Sequence, residues 1–172
     1  MNDNKCNKIF NELKNKGCIR SYRSLIPAEI LNFAPRICTI LYNPQMNDLD
    51  ENSIRFCLLH EEGHIRMFYL EVAIFLTVMF GLLTIFLILG LVFLFIAIIA
   101  LLIPFRWLLL CGEYHSDTFA ADTLKKNYDE FPKPSKIVEI ALKKVPHGKF
   151  SYISHPSDQK RVKSIMEYVD NK

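Results

Sequence analysis

The feature that most constrains this fold is an apolar block from Val72 to Leu110, whose one charged side chain is Arg106. A membrane-spanning helix needs about 20 apolar residues, so the block is too long for one span and long enough for two tight ones. Gly90 lies near the midpoint of the block. We therefore expect a two-helix transmembrane hairpin, about residues 70–110, with its turn near Gly90; a re-entrant hairpin that does not fully cross is the alternative.

Basic residues flank this block on both sides, whereas the expected turn carries no charge. Arg55 and Arg66 precede the block, and Lys125 and Lys126 follow it. By the positive-inside rule, both termini and both flanks face the cytoplasm. The N-terminus lacks the apolar core of a signal peptide, and the five scattered cysteines form no Cys-x-x-Cys pair, as is typical of a reducing compartment. The sequence thus predicts an integral membrane protein with two spans.

The rest of the chain predicts a mostly helical α+β fold, a single domain over 1–172 interrupted by the hairpin. Helical periodicity and capping residues predict helices over 1–17, 51–69, 111–127, 135–144 and 157–169. Apolar runs predict strands over 18–26 and 36–42, and a short helical turn is expected at 28–33. Pro35 and Pro44 flank the second strand, which favours an edge position for it. Such an edge strand could receive an extended substrate through backbone hydrogen bonds.

A His-Glu-x-x-His motif lies on the helix before the hairpin. His60 and His64 are four residues apart, so they share one helical face and can bind one metal ion. Glu61 then lies beside a water molecule activated by that metal and can act as general base. Gly63 costs the helix about 1 kcal/mol relative to alanine, and we expect close approach of another helix or backbone as compensation.

A catalytic zinc site usually has three protein ligands, so the motif requires a third from elsewhere. If the hairpin crosses twice, the segment after Leu110 returns to the membrane face at which His64 lies, and Glu113 reaches the same depth. Asp117 follows one turn later on the same face, where a carboxylate can orient a ligating imidazole. His115 is the rival third ligand.

The order of these motifs resembles a known family. The chain carries His60-Glu61-x-x-His64, a hydrophobic insertion, Glu113-Tyr114-x-x-Asp117-x-x-Ala120, and then His155-Pro156 followed by Arg161. This order resembles the integral-membrane zinc metalloproteases of the HtpX heat-shock protease and CAAX prenyl protease type, over about residues 36–168. Ser116 stands where that family usually has alanine. The resemblance implies a zincin-like metalloprotease domain with the hairpin inserted between the first two motif helices.

The resemblance also implies a role for each motif residue. The implied ligands of one Zn²⁺ per chain are His60, His64 and Glu113. Glu61 is the implied general base and proton shuttle, and Asp117 lies behind the ligands. His155 helps to stabilise the oxyanion or to orient substrate, and Arg161 anchors that loop.

The expected activity is hydrolysis of peptide bonds, in peptides or membrane proteins, near the cytoplasmic membrane face. The expected partners are that substrate, the lipid bilayer, and a second copy or another membrane protein in place of the two membrane helices that precede the catalytic domain in HtpX-like members. A net charge of +3 gives no support for a nucleic-acid partner. The alternative function is a non-catalytic, hairpin-anchored adaptor or sensor with a structural or vestigial zinc site. Glu61 opposes it, because a structural site has no use for a base beside an open coordination position.

Overall fold

The computed structural model describes residues 4–30, 32–128, 133–145 and 155–171, and it confirms a mostly helical α+β fold. The helices are α1 (Lys5–Asn15), a 3-10 helix (Pro44–Asp48), α2 (Glu51–Leu89), α3 (Leu91–Asn127), α4 (Pro134–Lys144) and α5 (Asp158–Ile165), which continues as a π-helical turn (Met166–Asp170). The strands are β1 (Ser24–Pro27), β2 (Phe33–Pro35) and β3 (Thr39–Tyr42). The helices predicted at 135–144 and 157–169 are confirmed within about two residues at their described ends.

Helix α1 confirms the prediction made for residues 4–17, while residues 1–3 lie outside the described ranges. The Asn4 side chain accepts a hydrogen bond from the Asn7 amide and caps the helix start. The buried face of α1 consists of Cys6, Ile9, Phe10 and Leu13. Gly17 ends the helix with a φ of 72°, a left-handed conformation that glycine adopts without steric cost.

The sheet differs from the prediction in three places. Its strand order is β1-β3-β2, with β1 parallel and β2 antiparallel to β3. The first strand begins at Ser24 rather than residue 18, and the strand predicted at 36–42 begins at Thr39. Residues 28–30 and 32 form no helical turn, and β2 begins at Phe33. The prediction of an edge position for strand 36–42 was wrong, since β3 is the central strand. Pro35 lies in β2 and Pro44 lies in the 3-10 helix, so neither proline removes a ladder donor from β3.

Helices α2 and α3 each join a motif to one half of the apolar block. Asp50 caps α2 by accepting a hydrogen bond from the Ser53 amide at 2.9 Å, and the helix then continues well past residue 69. Gly90, with a φ of 83°, separates α2 from α3, where the hairpin turn was predicted. Among the described residues no single helix is apolar and long enough to cross a bilayer; two segments of α2, Glu51–Phe68 and Val72–Ile88, meet at 41° and would together suffice by length and composition.

Helices α2 and α3 pack closely at Gly63. A Cβ atom at this position would lie 2.8 Å from Ser116 Cα and 3.1 Å from Ser116 Cβ. These distances are shorter than van der Waals contact, so no side chain fits between the two backbones. The close helix approach expected at Gly63 is therefore confirmed. This contact brings the α2 segment that carries His64 close to the α3 segment that carries Asp117.

We expect Gly63→Ala to destabilise the protein by about 1–3 kcal/mol, because the added methyl forces α2 and α3 apart. Gly81→Ala is the matched control, since it lies in the same helix and its added Cβ meets no atom within 4 Å among the described residues beyond its own helix backbone. That change should be neutral or stabilise by up to about 1 kcal/mol. Thermal unfolding of both variants measures the difference. Equal melting temperatures would contradict the packing described at Gly63.

Candidate metal centre

Three side chains from α2 and α3 converge on one point. His60 Nε2 lies 3.1 Å from His64 Nε2 and 3.5 Å from Glu113 Oε2, while His64 Nε2 lies 3.2 Å from Glu113 Oε1. The two histidines share a face of α2 because they are one helical turn apart. Glu113 reaches them from α3 as that helix returns alongside α2. The structure thus brings together the three residues that the sequence predicts as metal ligands.

The spacing of these donor atoms fits a tetrahedral metal ion. Ligand atoms about 2.0–2.2 Å from such an ion lie about 3.3–3.6 Å from one another. The observed separations of 3.1, 3.2 and 3.5 Å are close to this range, and the last two join the histidines to different oxygens of the Glu113 carboxylate. Glu113 Oε2 is buried and has no hydrogen-bond partner among the described residues, which is unusual unless an ion satisfies it. His60, His64 and Glu113 would hold the metal and leave a fourth position open.

The charge balance of the site also favours a divalent cation. Three buried carboxylates, those of Glu61, Glu113 and Asp117, surround one buried guanidinium, that of Arg161. Buried charges are costly unless they are compensated. Two negative charges remain after Arg161 is counted, and a divalent ion would neutralise them.

The pKa values of two carboxyl groups in the site move in opposite directions. Burial alone would raise the pKa of Glu113, but its hydrogen bond with His64 and the nearby imidazoles outweigh burial and hold that pKa at about 2. Burial raises the pKa of Glu61 above its usual range, although His60 and His64 oppose the shift. Glu113 is therefore an anionic ligand near neutral pH, while Glu61 is tuned towards proton exchange.

Asp117 and Arg161 lie behind the ligands and fix one of them. Asp117 Oδ1 lies 2.9 Å from His60 Nδ1, on the side of the ring opposite the metal-facing nitrogen. Arg161 donates two hydrogen bonds to the Asp117 carboxylate, at 2.6 and 2.7 Å, and both side chains are buried. A bidentate pair of this kind holds the carboxylate in one orientation. The carboxylate in turn favours the His60 tautomer that leaves Nε2 free to bind metal.

The site opens into a cleft of about 630 Å³. Glu61 lines this cleft beside the ligands. His155, which precedes α5, also lines it, with Nδ1 at 3.3 Å from Glu113 Oε1 and its side chain 42% exposed. The rival ligand His115 is exposed on α3 and is not part of the ligand group. Glu61 and His155 are thus the side chains placed to meet a substrate in the cleft.

The walls of the cleft were not predicted from the sequence. One wall is β2 with the residues on either side of it, 32–37, and the opposite wall is the end of α4. Their apolar lining includes Phe33, Ala141, Leu142 and Val145. The signal for β2 is weak, because a three-residue strand shows no measurable alternation. The amphipathic pattern of α4 predicted a helix, but not that part of its apolar face borders the site.

We expect Asp117→Asn to weaken zinc affinity by about 10–100-fold, because the amide no longer holds the His60 tautomer as firmly. Asp122→Asn is the matched control, a half-buried aspartate of the same helix that pairs with Lys126 away from the ligands. Competition with a fluorescent chelator measures zinc affinity, and apo-protein melting curves separate that effect from lost stability. Equal zinc affinities in the two variants would contradict the role assigned to Asp117.

Comparison with known proteins agrees with this geometry. A family model described as Peptidase family M48 matches residues 32–169, which include the whole ligand group, the cleft walls and Arg161. No curated protein and no solved structure matches the chain. The family match covers most of the chain and confirms the resemblance drawn from the three motifs. The chain therefore belongs to peptidase family M48, a family of metallopeptidases, as a member of the HtpX and CAAX prenyl protease type.

Proposed function

We propose that this protein is a membrane-bound zinc endopeptidase that cleaves peptides or membrane proteins near the cytoplasmic membrane face. One observation carries the proposal: donor atoms of His60, His64 and Glu113 lie within 4.8 Å of one another, and the buried Glu61 lies beside them in an open cleft. A structural zinc site is closed by four protein ligands, whereas this one keeps a position open. The arrangement therefore supports catalysis over an adaptor with a structural site.

Zinc is the metal that the donor set suits best. Two imidazole nitrogens and one carboxylate oxygen are the ligands of many catalytic zinc sites. Magnesium and calcium prefer oxygen ligands alone, and thiolates are absent from the described ligand group. When bound, the ion supplies a water molecule of lowered pKa and polarises a peptide carbonyl.

The residues of the site then have three separate roles in the reaction. Glu61 takes a proton from the attacking water and returns it to the leaving amine. His155 donates a hydrogen bond to the carbonyl oxygen as negative charge develops on it. Asp117 and Arg161 keep His60 oriented throughout the reaction.

The substrate is proposed to bind along β2, not along β3 as first expected. Strand β3 is paired on both sides, whereas one edge of β2 has no strand partner among the described residues. Arg36 exchanges backbone hydrogen bonds with Thr39 at 2.8 and 3.3 Å, so the alternation of an antiparallel strand turns the backbone groups of Phe33 and Pro35 outward. Pro35 has no N–H, and this edge therefore offers two carbonyls and the single N–H of Phe33.

The cleft favours apolar substrate side chains. Leu142 of α4 and Val145, which follows it, line the cleft together with β2, and Phe56, Ile65 and Phe68 line it from α2. Burial of one leucine-sized side chain in such a cleft contributes about 1.5–3 kcal/mol of binding. We propose an extended peptide with an apolar residue next to the cleaved bond.

The membrane location rests on the exposed surface of α2 beyond the site. Seven large apolar side chains on it are at least half exposed: Leu70, Phe75, Leu76, Phe80, Leu83, Leu87 and Ile88. A soluble monomer rarely exposes a continuous apolar surface of this length. Two spans with their turn at Gly90 would place this surface in the hydrocarbon core and both termini in the cytoplasm.

We expect Glu61→Gln to retain one zinc per chain and to lose peptide cleavage by at least about 100-fold, because the amide cannot carry the proton. Glu139→Gln is the matched control, an exposed glutamate that pairs with Lys143 on α4. Zinc content and hydrolysis of casein are measured on purified protein. A wild-type protein that holds zinc and cleaves neither casein nor membrane proteins would favour the adaptor function.

The hairpin makes a separate topological prediction. A reporter active only in the cytoplasm is fused to either end of the chain, and both fusions are expected to be active because two spans return the chain to its starting side. A fusion at Gly90 provides the opposite control and is expected to be inactive. Activity of only one terminal fusion would contradict the two-span hairpin.

A further inference from the structure

Glu62 is a charged residue of the zinc-binding motif that the mechanism above does not use. Its side chain is completely buried, on a face of α2 away from the cleft. Arg23 Nε and Arg66 Nε lie 3.0 Å from its two carboxylate oxygens. A buried carboxylate between two arginines is strongly held, because loss of any one member leaves an uncompensated charge.

The two arginines connect Glu62 to different parts of the fold. Arg66 donates to the Cys18 carbonyl at 3.1 Å and stacks on Phe119, with 4.4 Å from its guanidinium carbon to the ring centre. Arg23 instead donates from Nη1 to the Ile37 carbonyl. Arg23 is therefore the member of this cluster that reaches the cleft wall.

Ile37 occupies the tip of the β2–β3 hairpin. Arg36 and Thr39 close a two-residue loop, Ile37 and Cys38, by their mutual backbone hydrogen bonds. Such loops favour turns with positive φ, which match the twist of the strands. Neither loop residue has a positive φ, so the turn itself does little to hold β2 in register. An anchor from outside the hairpin can supply that constraint.

We propose that Glu62 and Arg23 act as positioning residues that fix the β2 edge at a set distance from the metal ligands. Glu62 is rigidly attached to His60 and His64 through the helix, and the rigid fork of Arg23 spans from Glu62 to the hairpin tip. The link therefore sets how far the outward backbone groups of Phe33 and Pro35 lie from the cleaved bond. This inference rests on the proposed peptidase function. It names the residues that position the strand along which an extended substrate would bind.

Arg23→Lys tests this link while it preserves the charge beside Glu62. A lysine ammonium is a single point donor and cannot replace a fork that bonds two acceptors in fixed directions. Two probes are titrated against the zinc-loaded protein: acetohydroxamate, which binds the metal alone, and N-acetyl-trileucine hydroxamate, which also extends along β2. We expect Arg23→Lys to weaken the trileucine probe about tenfold, through loss of well-placed backbone hydrogen bonds, and to leave acetohydroxamate unchanged.

Arg66→Gln is the matched control, because it removes the other arginine that hydrogen-bonds Glu62 without touching the cleft. Arg20, whose Nε lies 4.0 Å from Glu62 Oε1, remains in both variants. It is expected to lower the melting temperature and to leave the ratio of the two affinities unchanged. Glu62→Asp provides a second variant, in which the carboxylate retracts by one methylene and the ratio should fall as in Arg23→Lys. Both variants must remain folded for this comparison. The inference is overturned if Arg23→Lys and Arg66→Gln change the ratio of the two probe affinities equally, or if neither changes it.

The probes also separate this inference from the function on which it rests. If the wild-type protein with zinc does not bind acetohydroxamate, the proposed metal site fails and the positioning role fails with it. If acetohydroxamate binds and the trileucine probe binds no more tightly, the metal site stands but the β2 edge does not receive the peptide. Tighter trileucine binding that is lost selectively in Arg23→Lys supports both.

Discussion

The contact between Gly63 and Ser116 is the interaction on which the site depends. Each residue lies one position before a functional side chain, since His64 follows Gly63 and Asp117 follows Ser116. The absence of a Cβ at Gly63 lets the two backbones approach to a distance that no other residue allows. Because helices are stiff, this one approach fixes how far Glu113 lies from the two histidines. The ligand geometry is thus set by helix packing and not by a loop.

Two arginine–carboxylate pairs support α2, one indirectly through the contact of Asp117 with His60 and one directly through Glu62. Arg161 and Asp117 support the metal ligands, and Arg23 and Glu62 connect the same helix to the hairpin that borders the cleft. Glu61 and Glu62 are neighbours in sequence but about 100° apart around the helix, which gives them different surroundings. One faces the cleft with a raised pKa, and the other is enclosed by guanidinium groups. A single helical turn therefore supplies ligands, base and structural anchor.

The sequence alone predicted that the two motif histidines lie together, because helical periodicity determines which positions share a face. It also predicted the return of Glu113, and α3 brings this residue alongside the two histidines of α2. The sheet was harder, because the effect of a proline depends on which strand contains it, and Pro35 belongs to a strand too short to detect. The contact between Glu62 and Arg23 could not be predicted, since nothing in the spacing of charges indicates that Arg23 folds against Glu62.

The ligand group takes two members from one long helix and the third from another. A metal ion bound there would act as a removable cross-link that closes a loop of about fifty residues, including the whole apolar block. Like a disulfide, such a link lowers the entropy of every state in which the two helices separate. The formation of this cross-link would depend on the supply of the metal and not on the redox potential. The same ion would then decide both whether the protein reacts and how tightly the base of its hairpin is held closed.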